Sequence, residues 1–319
     1  MSAPRRGLVL GAGGVLGAAW TTGALAAVQA EYGWDPREAE VLVGTSAGSV
    51  LAATLGCGVG VDSLVAHQQG VAPQDGPQIE YDHDTASGGA RPPLPRPGIG
   101  SARGALRVAR RPTRSTPLMA LTTVLPQGRG SIESIGRLVD GLVEPGSWAP
   151  HPRTWVVTLD VDSGRRVVFG REGAEPAALR DAVMASCAIP GWYAPVRIGT
   201  HRYVDGGACS PTSLDLVARL GLDEVVVLSP MTSLDYDAPT SVAERLERRF
   251  RRLVTKRLIG EVKKVAATAT KVTLLGPGAE DLRAIGANLM DPGRRARVLE
   301  TSLQTSVQAV RAQGLRTAG

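Results

Sequence analysis

The chain of 319 residues is 43% apolar, enough for one large or two ordinary domains that fold around a core without covalent staples. Its three cysteines, Cys57, Cys187 and Cys209, are odd in number and widely separated, with neither CxxC nor Cys/His metal spacing. They exclude a disulfide framework and a zinc site and fit a reducing cytoplasm. A net charge of +6 and a pI near 9.6 favour anionic surfaces, but aromatics make up only 4% and are not interleaved with the Lys and Arg, so an acidic membrane is a better expected partner than nucleic acid.

In chain order, Arg5 and Arg6 precede an uncharged stretch from Gly7 to Ala30 with a small-residue Ala24-Leu25-Ala26, the outline of a signal peptide. Six glycines interrupt it, and the uncharged run Val41 to Val61 is broken in the same way, so both read as strand-turn-helix units. Arg6–Leu10 is a predicted buried strand and Ala18–Glu31 a helix. Ala39–Val43 is a second strand, GTSAGS a tight turn, and Val50–Leu55 a helix ending among Gly56, Gly58 and Gly60. Further strands are expected at Thr154–Asp160, Arg166–Phe169, Tyr203–Val204, Glu224–Leu228 and Val272–Leu275, with helical patterns between most of them. This alternation implies an α/β fold with a mostly parallel sheet covered on both faces, whose ligands gather at the carboxyl ends of the strands.

Two segments stand apart. From Val71 to Gly130 the chain carries RPPLPRPG and RRPTRSTP with little apolar periodicity, which reads as an insertion, either a solvated loop or a lid that orders at a lipid surface. From Ser241 to Val265 a basic amphipathic helix is expected, with Leu246, Phe250, Leu253, Arg257, Leu258, Val262 and Val265 on one face packed on the core and most of its other arginines and lysines elsewhere. Docking of this helix on a membrane is the alternative.

The strongest chemical motif is Gly44-Thr45-Ser46-Ala47-Gly48, a G-x-S-x-G between a predicted strand and helix. A serine nucleophile on a sharp turn needs small neighbours, and the helix N-terminus supplies positive potential for developing negative charge. No histidine follows His201, so the Ser, Asp/Glu, His order of the α/β-hydrolases fails; His201 with Asp160 or Asp162 is a minor option. Asp205 in YVDGG is the better base, since a partly buried carboxylate can accept a hydroxyl proton directly while Gly206 and Gly207 turn the chain away from the serine.

The glycine-rich turn around Gly11, GTSAG, and DGG about 160 positions later resemble the patatin-like phospholipases, as does the segment ASCAIPGWYAPVRIGTHRYVDGGACSP. The resemblance covers most of the chain outside Val71–Gly130 and is less specific after Pro230. It implies a three-layer α/β/α sandwich, a Ser46–Asp205 dyad that hydrolyses lipid esters through an acyl-enzyme, and no metal or cofactor. It also implies an oxyanion hole of main-chain N–H groups at Gly13, Gly14 and Val15, with Gly11, Gly17, Gly44, Gly48, Gly206 and Gly207 as supporting motif positions. Two departures are visible: Ala12 stands at the first glycine of the family pattern and Leu16 at its basic residue.

Three other readings remain. A dinucleotide-binding G-x-G-x-x-G would need glycine at position 16, and no acidic residue ends the second strand. A non-catalytic module could keep the fold and bind a membrane or a protein partner through its basic helix. A thioesterase or an esterase of soluble esters would use the same residues. The expected location is cytoplasmic or membrane-peripheral.

Overall fold

The computed structural model describes residues 4–71, 92–98, 100–110, 122–235 and 237–317. Eight strands form one sheet: β1 (Arg6–Leu10), β2 (Val41–Thr45), β3 (Thr154–Asp160), β4 (Arg166–Phe169), β5 (Val196–Ile198), β6 (His201–Asp205), β7 (Glu224–Leu228) and β8 (Lys271–Leu275). The path runs β5-β6-β3-β2-β1-β7-β8, with β4 also paired to β3. The pairs from β3 through β8 on that path are parallel; β3 with β4, β3 with β6, and β5 with β6 are antiparallel.

Alternation along each buried strand feeds two faces. Leu8 and Leu10 of β1 enter a core with helices α1 (Gly14–Tyr32), α3 (Val61–Gln69), α8 (Ala279–Ile285) and α9 (Arg295–Thr317). Val9 points the other way, with Val225 and Val227, toward Leu258 and Val265 of α7 (Val242–Ala266). Helices α2 (Ala47–Gly56), α5 (Glu133–Asp140) and α6 (Leu179–Cys187) pack beside β3 and β4 around Val156 and Phe169. Helices on both faces make the three-layer α/β/α sandwich.

One feature of the register positions the site. On β3, Val157 pairs with Thr45, the last residue of β2, and the next residue, Thr158, pairs with Asp205, the last residue of β6. The β4 register overlaps both of these, so β4 takes the opposite edge of β3. Parallel β2 and antiparallel β6 therefore abut end to end along one edge, and the residues leaving them, Ser46 and Asp205, meet.

Two expectations change. The expected insertion lies partly outside the described residues, at 72–91, 99 and 111–121, but its described part holds helix α4 (Ala102–Arg110). Ser101 anchors this helix, accepting the Gly104 N–H at 2.9 Å and donating to Asp162 at 2.7 Å. In α7 the assignment of faces is partly reversed. A capping box of Ser241 and Glu244 starts the helix, as that sequence pattern favours. Leu258 and Val265 are buried as expected, yet Arg248 and Arg251 are buried too, while Leu246, Phe250 and Leu253 are exposed. The reason is a set of oxygens beneath the helix: Arg248 binds Asp237, Glu247 and the Leu282 carbonyl, and Arg251 binds Glu247 and the carbonyls of Pro230 and Thr232. Buried acceptors need donors, and guanidinium groups satisfy several at once.

Candidate active site

Ser46 lies between β2 and α2 with φ +54°, a conformation unusual for a residue bearing a side chain. Its surroundings hold the turn. The Ser46 N–H donates to Ser186 Oγ at 2.9 Å, and that hydroxyl donates to the Val157 carbonyl at 2.7 Å, tying the turn to β3. Ser49 Oγ donates to the Ser46 carbonyl at 2.6 Å. At Gly48 a Cβ would lie 2.1 Å from the Leu10 carbonyl oxygen, so only glycine allows α2 to start this close to β1.

Asp205 ends β6, fixed by its own N–H to the Ala188 carbonyl at 3.0 Å. Its carboxylate accepts the Gly207 N–H at 2.7 Å, and the Ser46 side chain lies near enough to favour its ionised form. Burial pushes this carboxyl up to about 6 from an ordinary 3.8, against the lowering effect of those two groups. The carboxylate thus remains ionised at neutral pH while being a stronger base than an exposed aspartate.

The glycine-rich turn faces the same pair. Gly11, Ala12, Leu16 and Gly17 spend their N–H groups on the carbonyls of Leu228, Pro211, Leu289 and Gly13. The N–H groups of Gly13, Gly14 and Val15 have no acceptor among the described residues. Gly14 reaches this arrangement at φ +60° and begins α1, whose N-terminal dipole favours negative charge. Ala12 causes no loss, because its N–H is already committed. Leu16 is fully buried in the core with Leu8 and Trp20, so no cation stands at this position.

Two cavities open on Ser46. One of about 310 Å³ is bounded by Gly13, Gly14, Ser46, Asp205, Trp192 and Phe250. The other, about 100 Å³, passes between α2, α3 and α5 past Val50, Leu51, Leu64, Ile135 and Leu138. His67 belongs to this apolar cavity, where burial and then the Arg295 charge lower its imidazole pKa. His201 does contact Asp160, at 3.2 Å, but the two border a separate basin with Arg103, Arg107 and Arg110, away from Ser46.

Residues 8–218, 211 of the 319, match the family described as patatin-like phospholipase. The chain belongs to the patatin-like phospholipase family. That match ends before α7, so Phe250, Leu289 and Met290, which complete the cavity wall, come from beyond the patatin-like segment. The crystal structure of VipD from Legionella pneumophila is similar at a TM-score of 0.45 and 12% identity, over 98% of this chain and 67% of that one. No curated protein matches the sequence.

Of the expected site residues of this patatin-like chain, Gly13, Gly14, Val15, Ser46, Asp205 and Gly207 line the two cavities, whereas Gly11, Gly17, Gly44, Gly48 and Gly206 line neither. Ser186 was missed: it sits in the ASCAIPG segment that carries the family resemblance, but no motif rule marks a serine whose task is to hold another residue's N–H. The Leu289 carbonyl was missed as well, since it reaches the turn from the far end of the chain.

Proposed function

We propose that this chain is a serine acyl hydrolase of lipid carboxylic esters, of the phospholipase A, lysophospholipase or esterase type. The observation that carries the reading is the meeting of Ser46, on its positive-φ turn, with the buried Asp205 carboxylate on the wall of one cavity. In the proposed reaction Ser46 Oγ attacks the ester carbonyl carbon as Asp205 takes its proton. The oxyanion is held by the N–H groups of Gly13, Gly14 and Val15, each donor supplying about 3 to 4 kcal/mol. Collapse expels the alcohol, which leaves with the proton from Asp205, and the acyl group remains on Ser46. Water then attacks the acyl-enzyme, giving its proton to Asp205, and the fatty acid departs as Ser46 Oγ recovers a proton.

The apolar cavity along α2, α3 and α5 supports an acyl chain as the group placed beside Ser46, and the wider cavity suits the leaving alcohol. The chemistry uses only side chains and main-chain donors of the chain itself.

The test is turnover of p-nitrophenyl butyrate and of phosphatidylglycerol by the purified protein. Both esters should be cleaved, and Ser46→Ala should lower kcat by on the order of 10⁴-fold. Equal turnover by the variant would remove Ser46 from the reaction.

A further inference from the structure

The reversed helix α7 presents an outward apolar stripe that no core residue covers. Val242 is 79% exposed, Leu246 and Leu253 are 68% exposed and Phe250 is 38% exposed. Spaced at i, i+4, i+8 and i+11, these four residues share one face. The buried face is made instead by Arg248, Arg251, Val254, Leu258, Glu261 and Val265. Exposed contiguous apolar surface of this kind marks an interaction site, whereas isolated apolar side chains do not.

The charges around the stripe identify the partner. Arg245, Arg249, Arg252 and Lys256 are exposed beside it, on the flank opposite Glu261. The carboxylates of the helix are occupied: Glu244 caps the N-terminus, Glu247 pairs with Arg248 and Arg251, and Glu261 accepts from Ser210, Thr212 and the Leu214 N–H. The outward face is therefore apolar at its centre and cationic along its edge. That is the composition of a helix lying in the interface of an anionic bilayer.

Position completes the case. Phe250 belongs both to the stripe and to the cavity that contains Ser46 and Asp205. Leu125, the chain neighbour of the exposed Val124, lines the same cavity. A lipid leaving a bilayer in contact with α7 would enter the cavity without crossing water.

We infer that the Val242–Leu246–Phe250–Leu253 face of α7, with its flanking arginines and Lys256, docks on an anionic lipid surface and sets the mouth of the Ser46 cavity against it. The inference that docking serves substrate entry rests on the lipid-ester reading of Ser46; the docking itself does not require turnover.

The experiment is cosedimentation of full-length Ser46→Ala protein with vesicles of phosphatidylcholine, with and without 30% phosphatidylglycerol, so that binding is read without hydrolysis. Binding should need the anionic lipid and weaken as salt rises. Leu246→Asp with Leu253→Asp should reduce it at least tenfold, while in the Ser46 background the same pair leaves p-nitrophenyl butyrate turnover unchanged. Arg249→Glu with Lys256→Glu, which removes no apolar surface, should also weaken it more than tenfold. Loss of soluble-ester turnover in wild type with vesicle binding intact would defeat the catalytic reading alone. Binding indifferent to anionic lipid, or unaffected by both double variants, would overturn the docking, as would light scattering that shows the stripe holding two copies of the chain together.

Discussion

Asp205→Asn should make the protein more stable at alkaline pH while removing its activity. The carboxyl of Asp205 is raised from 3.8 to about 6, chiefly by burial. The folded protein therefore binds more protons than the unfolded chain between those values, and stability contributed by this group falls as pH rises through the window. A shift of about 2 units corresponds to roughly 3 kcal/mol of destabilisation once the pH exceeds about 6. Asparagine carries no charge to desolvate, can still accept the Gly207 N–H through its carbonyl oxygen, and can donate to the Ser46 hydroxyl oxygen. Urea unfolding followed by circular dichroism at pH 4.5, 6 and 8 measures the difference between variant and wild type. That difference should move in favour of asparagine by about 2 kcal/mol from pH 4.5 to pH 8, the rest of the effect lying below pH 4.5, with most of the change complete by pH 7. A difference that is flat with pH, or that moves in favour of wild type as pH rises, would refute a buried, elevated Asp205.

Two further outcomes rest on the same geometry. Since Asp205 must be ionised to accept the hydroxyl proton in the proposed reaction, kcat/KM for p-nitrophenyl butyrate should rise with pH through a midpoint near 6 and then level off, as a stopped assay across pH 4.5 to 9 would show. Ser186→Ala leaves the Ser46 N–H and the Val157 carbonyl without their shared partner, so it should cost about 1 to 3 kcal/mol in urea unfolding and lower kcat more than it raises KM.

The sheet was legible where apolar runs are short and bounded. The bounds of β1, β3, β4 and β7 follow directly from RGLVL, TWVVTLD, RVVF and EVVVL. The resemblance carried by GTSAG, DGG and the glycine-rich turn also implied that Ser46, Asp205 and the Gly13–Val15 turn share one site. The cause of that convergence was not legible, because the abutment of β2 and β6 depends on β6 running antiparallel beside β3. The inner face of α7 was hidden for a similar reason. Its periodicity marks two stripes, and the choice between them is made by the carbonyls of Pro230, Thr232 and Leu282, which lie on other elements and draw Arg248 and Arg251 inward. Helix α4 was missed because its arginines and small residues offer only a thin apolar pattern, while its anchor, Ser101 on Asp162, is a long-range contact.

The central claim is that Ser46 is the nucleophile. Incubation of the intact protein with a fluorophosphonate probe, followed by mass spectrometry of its peptides, tests it most directly. One covalent phosphonyl adduct on Ser46 is expected, absent from Ser46→Ala and strongly slowed in Asp205→Asn. No adduct on the wild-type protein, or an adduct that persists at another residue when Ser46 is alanine, would contradict it.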